Sequence, residues 1–376
     1  MIAMSENGNS KFLLITLIIT CALLVAIGIA NLIVDPFQQY HLAAPGKAYY
    51  PRTLQRYINP GLAKNAKYDL VVTGSSLMEN YDLDEVNRIC VSKSINLSNS
   101  AMSAYEMKKI LEVTFKHNMP KRIVATLDFN SFNAPIDGSF PEIIHSLPLY
   151  LYDDNYLNDF HYLFSGKVTM RSGAISYYPS ARLGQMDANR AWAWDREYKF
   201  SAESMIQGVN PTNINQRFQQ KNSNLAHMQA SFSKNIFDLI KRHPETEFDF
   251  LYSPISILAW VDFYQRDQMN EFLEFKSFVF RKIGYLPNVR IFDFQWDSQI
   301  THDLNRYKDI FHYDAEVNRL MMHTVCDDTD LAKKYIVTDN SLMVFSKMLH
   351  AQSVGADPVR IVEDVRNNKS IVVPIN

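Results

Sequence analysis

Residues 68–81 read YDLVVTGSSLMENY, and this stretch decides how the chain around it can fold. The apolar run at 70–72 predicts a short buried strand. Gly74, Ser75 and Ser76 follow it, and these small residues allow a sharp turn from a strand into a helix. Open α/β sheets bind ligands beyond the carboxyl ends of their strands. A hydroxyl in this turn is therefore predicted to lie where such folds place their sites.

The residues that follow alternate between helix and strand patterns. Residues 79–86 and 105–117 predict helices, the second of which ends before Pro120. Residues 94–97 and 122–128 predict strands, and the latter is rich in β-branched side chains. Strand–helix–strand units at this spacing are right-handed and build a parallel sheet. The chain is therefore predicted to carry an α/β domain, over residues 68–376.

The later part of this domain contains one interruption. Residues 134–219 hold many aromatic side chains and predict a mostly helical insertion at the carboxyl edge of the sheet. The alternation then resumes, with helices predicted at 222–243, 265–283 and 316–323 and strands at 247–252 and 289–294. The tail from 327 predicts helices and a final strand at 371–373.

The N-terminal part of the chain predicts a membrane anchor. Residues 12–34 are apolar apart from three small polar side chains, and about 23 residues suffice to cross a bilayer of about 30 Å as a helix. A cleaved signal peptide is the alternative, but its apolar core would be shorter. Lys11 precedes the span, so residues 1–11 are predicted to be a cytoplasmic tail. Residues 35–67, with four prolines and a short helix at 52–57, are expected to lead to a domain outside the cytoplasm, on the periplasmic or external side of the inner membrane.

Composition narrows the classes of function. The formal net charge is -2, which argues against a nucleic-acid-binding protein because such proteins usually carry a basic face. The spacing of Cys and His residues does not suggest a zinc site, and no cofactor is expected. Outside the anchor lie Cys90 and Cys326, which could form a disulfide in an oxidising compartment or remain two buried thiols.

A second stretch supplies the partners that a serine nucleophile needs. Residues 307–313 read YKDIFHY and contain Asp309 and His312. Serine requires a base within hydrogen-bond reach, and the base requires an orienting acceptor. A single helical turn would place Asp309 and His312 on one face, since they are three residues apart. Ser76, His312 and Asp309 are therefore candidates for nucleophile, base and acid.

The two stretches together resemble the sequence blocks of the SGNH (GDSL) hydrolase superfamily. Gly74-Ser75-Ser76-Leu77 is similar to its Gly-Asp-Ser-Leu block, and residues 309–312 are similar to its Asp-x-x-His block. The resemblance implies a three-layer α/β/α domain in which Ser76, Asp309 and His312 are catalytic. It also assigns Asn130, in the block that corresponds to Gly-x-Asn, as an oxyanion donor.

Two of the four blocks depart from the family pattern. Ser75 replaces the usual Asp, and the turn at 98–101 has no glycine where the family has an oxyanion glycine. A backbone N–H of Ser100 or Ala101 could still serve there. The membrane anchor and the Asp-x-x-His-Tyr block are similar to the DltD and alginate O-acetylation families. That similarity implies serine-dependent acyl-ester chemistry, by an O-acyltransferase or esterase, on a cell-envelope polysaccharide, with a membrane partner as acyl carrier.

Other interpretations of the same residues stay open. Ser76 could cap the following helix, Ser75 is the rival nucleophile, and Asp128 could order a loop. Trp192 and Trp194 could stack on a sugar or pack in the core. The alternative function is a non-catalytic SGNH-like protein that binds a glycan or a partner during polysaccharide export, and a third is a purely structural anchor.

Overall fold

The computed structural model describes residues 6–44, 46–143, 146–178, 187–207, 209, 224–327 and 329–367. The chain forms two compact units, the first made of Met1–Ala66 and Pro148–Ala188 and the second of Lys67–Leu147 and Asn189–Asn376. This division differs from the prediction, which placed all of 134–219 in the α/β domain. Residues 148–188 group instead with the N-terminal residues. The strand predicted at 371–373 lies outside the described residues.

The first unit begins with the helix Glu6–Val34. Its segment Ser10–Val34 has a mean hydropathy of 2.9, and it is long and apolar enough to cross a membrane. Its large apolar side chains are exposed, as on a helix that would face lipid rather than a protein core. The predicted N-terminal apolar helix is confirmed, and within the described ranges it is the one helix of this kind.

The rest of the first unit is also helical. The chain forms a 3₁₀ turn at Arg52–Leu54 and then the helix Gln55–Asn65, which is longer than the segment predicted at 52–57. Two further helices, Phe160–Leu163 and Gly166–Tyr177, follow two 3₁₀ turns at Leu149–Leu151 and Tyr156–Asn158.

The second unit is built on a five-stranded parallel sheet. The strands are β1 (Leu70–Thr73), β2 (Ser94–Asn96), β3 (Arg122–Thr126), β4 (Glu247–Tyr252) and β5 (Val289–Asp293). Their order is β2-β1-β3-β4-β5, and every neighbouring pair is parallel. The predicted parallel α/β sheet is confirmed.

Consecutive residues of the strands are buried, which shows that both faces of the sheet are covered. All four residues of β1 are buried, as are five of the six in β4, which means that both faces are covered. The longer helices of this unit are Leu83–Cys90, Ala104–His117, Leu225–Phe232, Ile257–Gln265, Met269–Ile283, Ala315–Cys326, Asp339–Gly355 and Pro358–Arg366. Shorter ones are Phe129–Asn133, Ala202–Ile206, Asp238–Arg242, Ser298–Thr301 and Thr329–Tyr335.

Several helix boundaries differ from the predicted ones. The helix predicted at 265–283 begins at Met269, because a separate helix, Ile257–Gln265, ends just before it and the chain turns at Asp267, whose φ is +58°. The helix predicted at 79–86 begins at Leu83, because the Asp82 carboxylate accepts hydrogen bonds from the first backbone N–H groups. The helix predicted at 222–243 contains a π-helical segment, Ser233–Phe237.

A disulfide joins Cys90 to Cys326, with their Cα atoms 5.0 Å apart. Each cysteine is the last residue of its helix, Leu83–Cys90 or Ala315–Cys326. Of the two alternatives that the sequence left open, the structure has the paired one. The bond links parts of the chain that are 236 residues apart.

Candidate active site

The sheet order brings the predicted site residues to one edge. In this doubly wound order, the connections from β1 and β3 leave in opposite directions, which opens a crevice beyond their carboxyl ends. Ser76 follows β1 and Asn130 follows β3. His312 lies in the segment that comes after β5. The fold therefore directs three distant parts of the sequence to the same crevice.

Ser76, His312 and Asp309 form a continuous hydrogen-bonded chain. The hydroxyl Oγ of Ser76 lies 2.8 Å from Nε2 of His312. On the other side of the ring, Nδ1 of His312 lies 2.9 Å from both carboxylate oxygens of Asp309. Nδ1 is thus the protonated nitrogen, which leaves Nε2 to accept the serine proton. This arrangement matches the geometry that an activated serine requires.

The side chain of Asp309 fixes the backbone of the loop that carries it. Residues 309–312 form a bend rather than the predicted helical turn. Oδ1 of Asp309 accepts the backbone N–H groups of Phe311 at 2.9 Å and His312 at 3.0 Å. Such side-chain-to-backbone bonds are the usual way in which Asp closes a tight turn. The predicted helical turn is therefore wrong for the backbone, but the carboxylate of Asp309 does reach the imidazole of His312 as predicted.

Several groups favour the charged form of Asp309. Burial alone would raise the pKa of this carboxyl, but hydrogen bonding to His312 and the charges of His312 and Lys308 hold it well below its usual range. Nζ of Lys308 lies 3.4 Å from Oδ2 of Asp309. The carboxylate therefore stays ionised and can stabilise a positively charged imidazole at neutral pH.

Aromatic side chains hold this ion pair in place. Nζ of Lys308 lies 4.4 Å from the ring centre of Trp194 and 4.1 Å from that of Tyr198, within cation–π range. The Trp194 ring also meets the His312 ring edge to face, with centroids 5.3 Å apart. Trp194 is fixed in turn, because its backbone N–H donates to Oδ1 of Asn80 at 2.8 Å. These contacts restrict the imidazole to one orientation.

Ser75 supports the turn and is bonded elsewhere. Its Oγ accepts the backbone N–H of Leu77 at 3.4 Å and is hydrogen-bonded to the Asp128 carboxylate. Burial raises the pKa of Asp128, while the bonds from Ser75 and from the Asn130 backbone oppose that shift. Ser75, and not Ser76, therefore caps the short turn after β1. This arrangement favours Ser76 over Ser75 as the nucleophile.

The structure places both oxyanion candidates beside Ser76. Asn130 and Ala101 line the same cavity as Ser76 and His312. The side-chain amide of Asn130 makes no hydrogen bond to any residue within the described ranges. Ala101 has φ +49°, the left-handed conformation that favours glycine. The turn therefore has a glycine-like backbone at the position where the family that the sequence resembles has a glycine.

The cavity itself has a volume of about 450 Å³. It extends from Ser76 and His312 past the ends of β3 and β4. Most of its wall is apolar, formed by side chains that include Met102, Phe129, Phe140, Ile255, Phe263 and Phe311. Its size falls in the range of sites for small organic ligands. The serine hydroxyl therefore opens onto a space that can hold an apolar group.

Other sequence-based candidates have a structural role. Trp192 is 1% exposed and Trp194 is 3% exposed, so neither can stack on a sugar, and the core-packing alternative is confirmed for both. The support that Trp194 and Lys308 give to the Asp309–His312 pair was not predicted. Across the described segments, no group of three His, Cys, Asp or Glu side chains is arranged to hold a metal ion.

Comparison with known proteins gives no family model that matches the sequence and no curated protein that is similar to it.

Proposed function

We propose that this protein performs serine-dependent acyl-ester chemistry outside the cytoplasm, as an SGNH-type O-acyltransferase or esterase. The observation that carries the proposal is the Ser76–His312–Asp309 chain, with contacts of 2.8 and 2.9 Å, at the wall of an open cavity. The order of the sequence blocks and the parallel sheet with both faces covered support the same assignment.

In the proposed first step, Oγ of Ser76 attacks the carbonyl carbon of an ester. Nε2 of His312 takes the serine proton, and Asp309 stabilises the imidazolium that results. The tetrahedral intermediate collapses when His312 gives this proton to the departing alkoxide. The products of the step are an acyl ester on Ser76 and a free alcohol.

The second step repeats this chemistry with a different nucleophile. His312 takes a proton from water or from a sugar hydroxyl, whose oxygen attacks the acyl carbon, and it then gives this proton to Oγ of Ser76 as the serine leaves. Water as acceptor gives hydrolysis, and a sugar hydroxyl gives transfer. In both steps the side-chain amide of Asn130 donates to the oxyanion, and a backbone N–H in the turn of Ala101 is the second donor. Each such donor contributes roughly two to three powers of ten in rate.

Two features that are separate from the serine site support the proposed localisation. The Cys90–Cys326 bond is the kind that persists in oxidising compartments and is rare in the cytosol. The Ser10–Val34 helix supplies an anchor of sufficient length. We therefore place the second unit on the periplasmic or external side of the inner membrane, with the chain crossing once.

The polysaccharide in this proposal comes from the resemblance alone. Members of the families that the sequence resembles act on acyl groups of cell-envelope polymers, and we propose such a polymer as the acceptor or the substrate. An activated acyl group made with a coenzyme thioester stays in the cytoplasm, so transfer would require a membrane partner that carries the acyl group across.

The direct test is labelling of the purified full-length protein with a fluorophosphonate probe, which reacts with activated serines. We expect labelling of the natural protein and none of Ser76→Ala or His312→Ala. Ser75→Ala is the matched control, because it removes the neighbouring hydroxyl and should keep most of the labelling. Loss of labelling in Ser75→Ala but not in Ser76→Ala would assign the nucleophile to Ser75.

The same experiment separates the enzyme from its main alternative, a non-catalytic protein that binds a glycan or an export partner. The replacement of the family glycine is the feature that favours this alternative. A folded protein, verified by its thermal unfolding transition, that takes up no probe at any pH would support the binding protein and reject the enzyme.

A further inference from the structure

The first unit carries a group of large apolar side chains that are exposed next to the membrane-length helix. Between residues 156 and 177 the exposed fractions are 79% for Tyr156, 88% for Leu157, 53% for Phe160, 72% for Met170 and 81% for Tyr177. Exposed large apolar side chains grouped in one short segment point to a site of protein or membrane contact. We call residues 156–177 the juxtamembrane segment.

Hydrogen bonds attach the juxtamembrane segment to the end of the anchor helix. Nδ2 of Asn31 donates to the backbone carbonyl of Leu163 at 2.7 Å and to Oγ1 of Thr169 at 2.9 Å. The hydroxyl of Tyr162 donates to Oδ1 of Asp35 at 2.6 Å. Asn31 is 1% exposed although it lies within the apolar sequence, so its polar group is used inside this contact. The segment is therefore fixed to the anchor.

Packing shows how far along the anchor this segment reaches. A Cβ placed on Gly28 would lie 3.2 Å from the ring of Phe164, so the Phe164 ring rests against the backbone of the anchor there. Gly28 precedes Val34 by six residues, which is about 9 Å along a helix. The apolar sequence continues to Val34, and the first charged residue after it is Asp35. Phe164 therefore lies on the membrane side of the boundary that the sequence marks.

We propose that the juxtamembrane segment is a second membrane contact, which inserts its exposed apolar side chains into the outer interface of the bilayer that the anchor crosses. Three observations favour lipid as the occupant. The first is that helices of the segment contact the anchor, whose own apolar side chains are exposed, Ile33 to 69%. Tyrosine side chains are enriched at membrane interfaces, and two of the most exposed are Tyr156 and Tyr177.

The third observation is that the segment has the polar features that an interfacial position requires. Backbone groups at membrane depth must be hydrogen-bonded, and Asn31 satisfies the last carbonyl of the Phe160–Leu163 helix. On the Gly166–Tyr177 helix, Lys167 lies over the ring of Tyr57 at 4.0 Å and Arg171 over that of Tyr49 at 5.4 Å. Such cations can meet lipid phosphates while their aliphatic stems lie along apolar surface. The proposal is independent of any chemistry at Ser76.

The test measures the depth of spin labels on the full-length protein in nanodiscs of phosphatidylethanolamine and phosphatidylglycerol. Cys21 is the one free cysteine of the described chain, and its label is the reference for the interior of the bilayer. In a Cys21→Ser background, single cysteines at Leu157, Phe160 and Met170 report on the segment. Val91, which is 90% exposed in the second unit, is the matched control for an apolar side chain in water.

We expect the labels at 157, 160 and 170 to collide more with oxygen than with a water-soluble nickel complex, as the Cys21 label does, while the Val91 label shows the reverse. Equal exposure of the segment and Val91 labels to nickel would overturn the proposal. Labels that neither reagent reaches would mean that a second copy or another protein covers the segment, which also overturns it. A Cys21 label that collides mainly with nickel would show that the helix Ser10–Val34 does not lie in the bilayer, which would also overturn the proposal.

Discussion

Replacing Asp309 by Asn should abolish turnover without disturbing the fold, because the structure fixes which way the new amide points. Oδ1 of Asp309 accepts the backbone N–H groups of Phe311 and His312. An Asn must keep its oxygen on that side. Its NH₂ group then occupies the position of Oδ2, 2.9 Å from Nδ1 of His312. The amide oxygen also stays 2.9 Å from Nδ1, but it already accepts two backbone N–H groups, so the new donor at the Oδ2 position favours the tautomer with the ring proton on Nε2.

This tautomer is inactive, because Nε2 then presents a proton to Ser76 and cannot remove one. In the Ser-His-Asp triad of serine proteases, the same substitution lowers kcat by about 10⁴. That factor corresponds to about 5.5 kcal/mol of transition-state stabilisation. Since the hydrogen-bonded chain in this protein has the same order and similar distances, we expect a loss of about the same size.

The assay is the rate of fluorophosphonate labelling, or of p-nitrophenyl ester hydrolysis, by Asp309→Asn and by Lys308→Met. The Lys308 variant removes the ion pair at 3.4 Å but leaves the tautomer unchanged. The pair is largely buried and the variant also loses the cation–π contacts to Trp194 and Tyr198, so we expect a loss of up to about two powers of ten, well short of that for Asp309→Asn. A folded Asp309→Asn protein that keeps a tenth or more of the natural rate would refute the assigned roles of Asp309 and His312.

Four further predictions concern stability and substrate size. Ala101→Gly should raise the free energy of unfolding, measured by urea unfolding, by up to about 1 kcal/mol and keep probe labelling. Glycine removes the steric strain that a Cβ causes at the left-handed φ of residue 101, and this gain outweighs the greater conformational entropy of the unfolded chain. Joint replacement of Cys90 and Cys326 by Ser should cost about 3 to 5 kcal/mol in the same experiment, and reductant should then have no further effect. Burial lowers the pKa of His302 to about 4, although the charge of Asp297 opposes this shift. As the pH falls below 6.5 the unfolded chain binds a proton that the folded chain does not, so the free energy of unfolding should fall by about 3 kcal/mol between pH 6.5 and pH 4. His302→Gln should lack this change. The apolar cavity of about 450 Å³ should give a higher kcat/KM for hexanoyl than for acetyl p-nitrophenyl esters, and Phe263→Trp should reverse this order by filling the space.

The strands were predictable because they are short apolar runs between turn residues. β4, Glu247–Tyr252, has the predicted bounds, and the other strands end within two residues of them. The helix Ile257–Gln265 was missed for a physical reason. Seven of its nine residues are buried, so its sequence has no polar face from which a helical period could be recognised.

The division into two units could not be read from local patterns. It depends on contacts between residues more than a hundred positions apart, such as Asn31 with Leu163. Neither residue has a sequence neighbourhood that indicates the other. The prediction therefore assigned 148–188 to the domain whose elements flank it in the chain, and the contacts group it with the anchor helix instead.

The site shows the same limit at the scale of single side chains. Ser76, Asp309 and His312 could be proposed as a group from the sequence, because the residue types around a candidate nucleophile and a candidate base are recognisable there. Trp194 has no such signal, yet its ring contacts both His312 and Lys308. Trp194 precedes His312 by 118 positions, so only the folded chain shows that the two rings are in contact. Trp194 is held there because its backbone N–H donates to Asn80, which follows the serine turn after β1. Residues that hold a catalytic group in place are fixed by packing rather than by chemistry. For that reason the orientation of His312 had to come from the structure, although its identity could be proposed from the sequence.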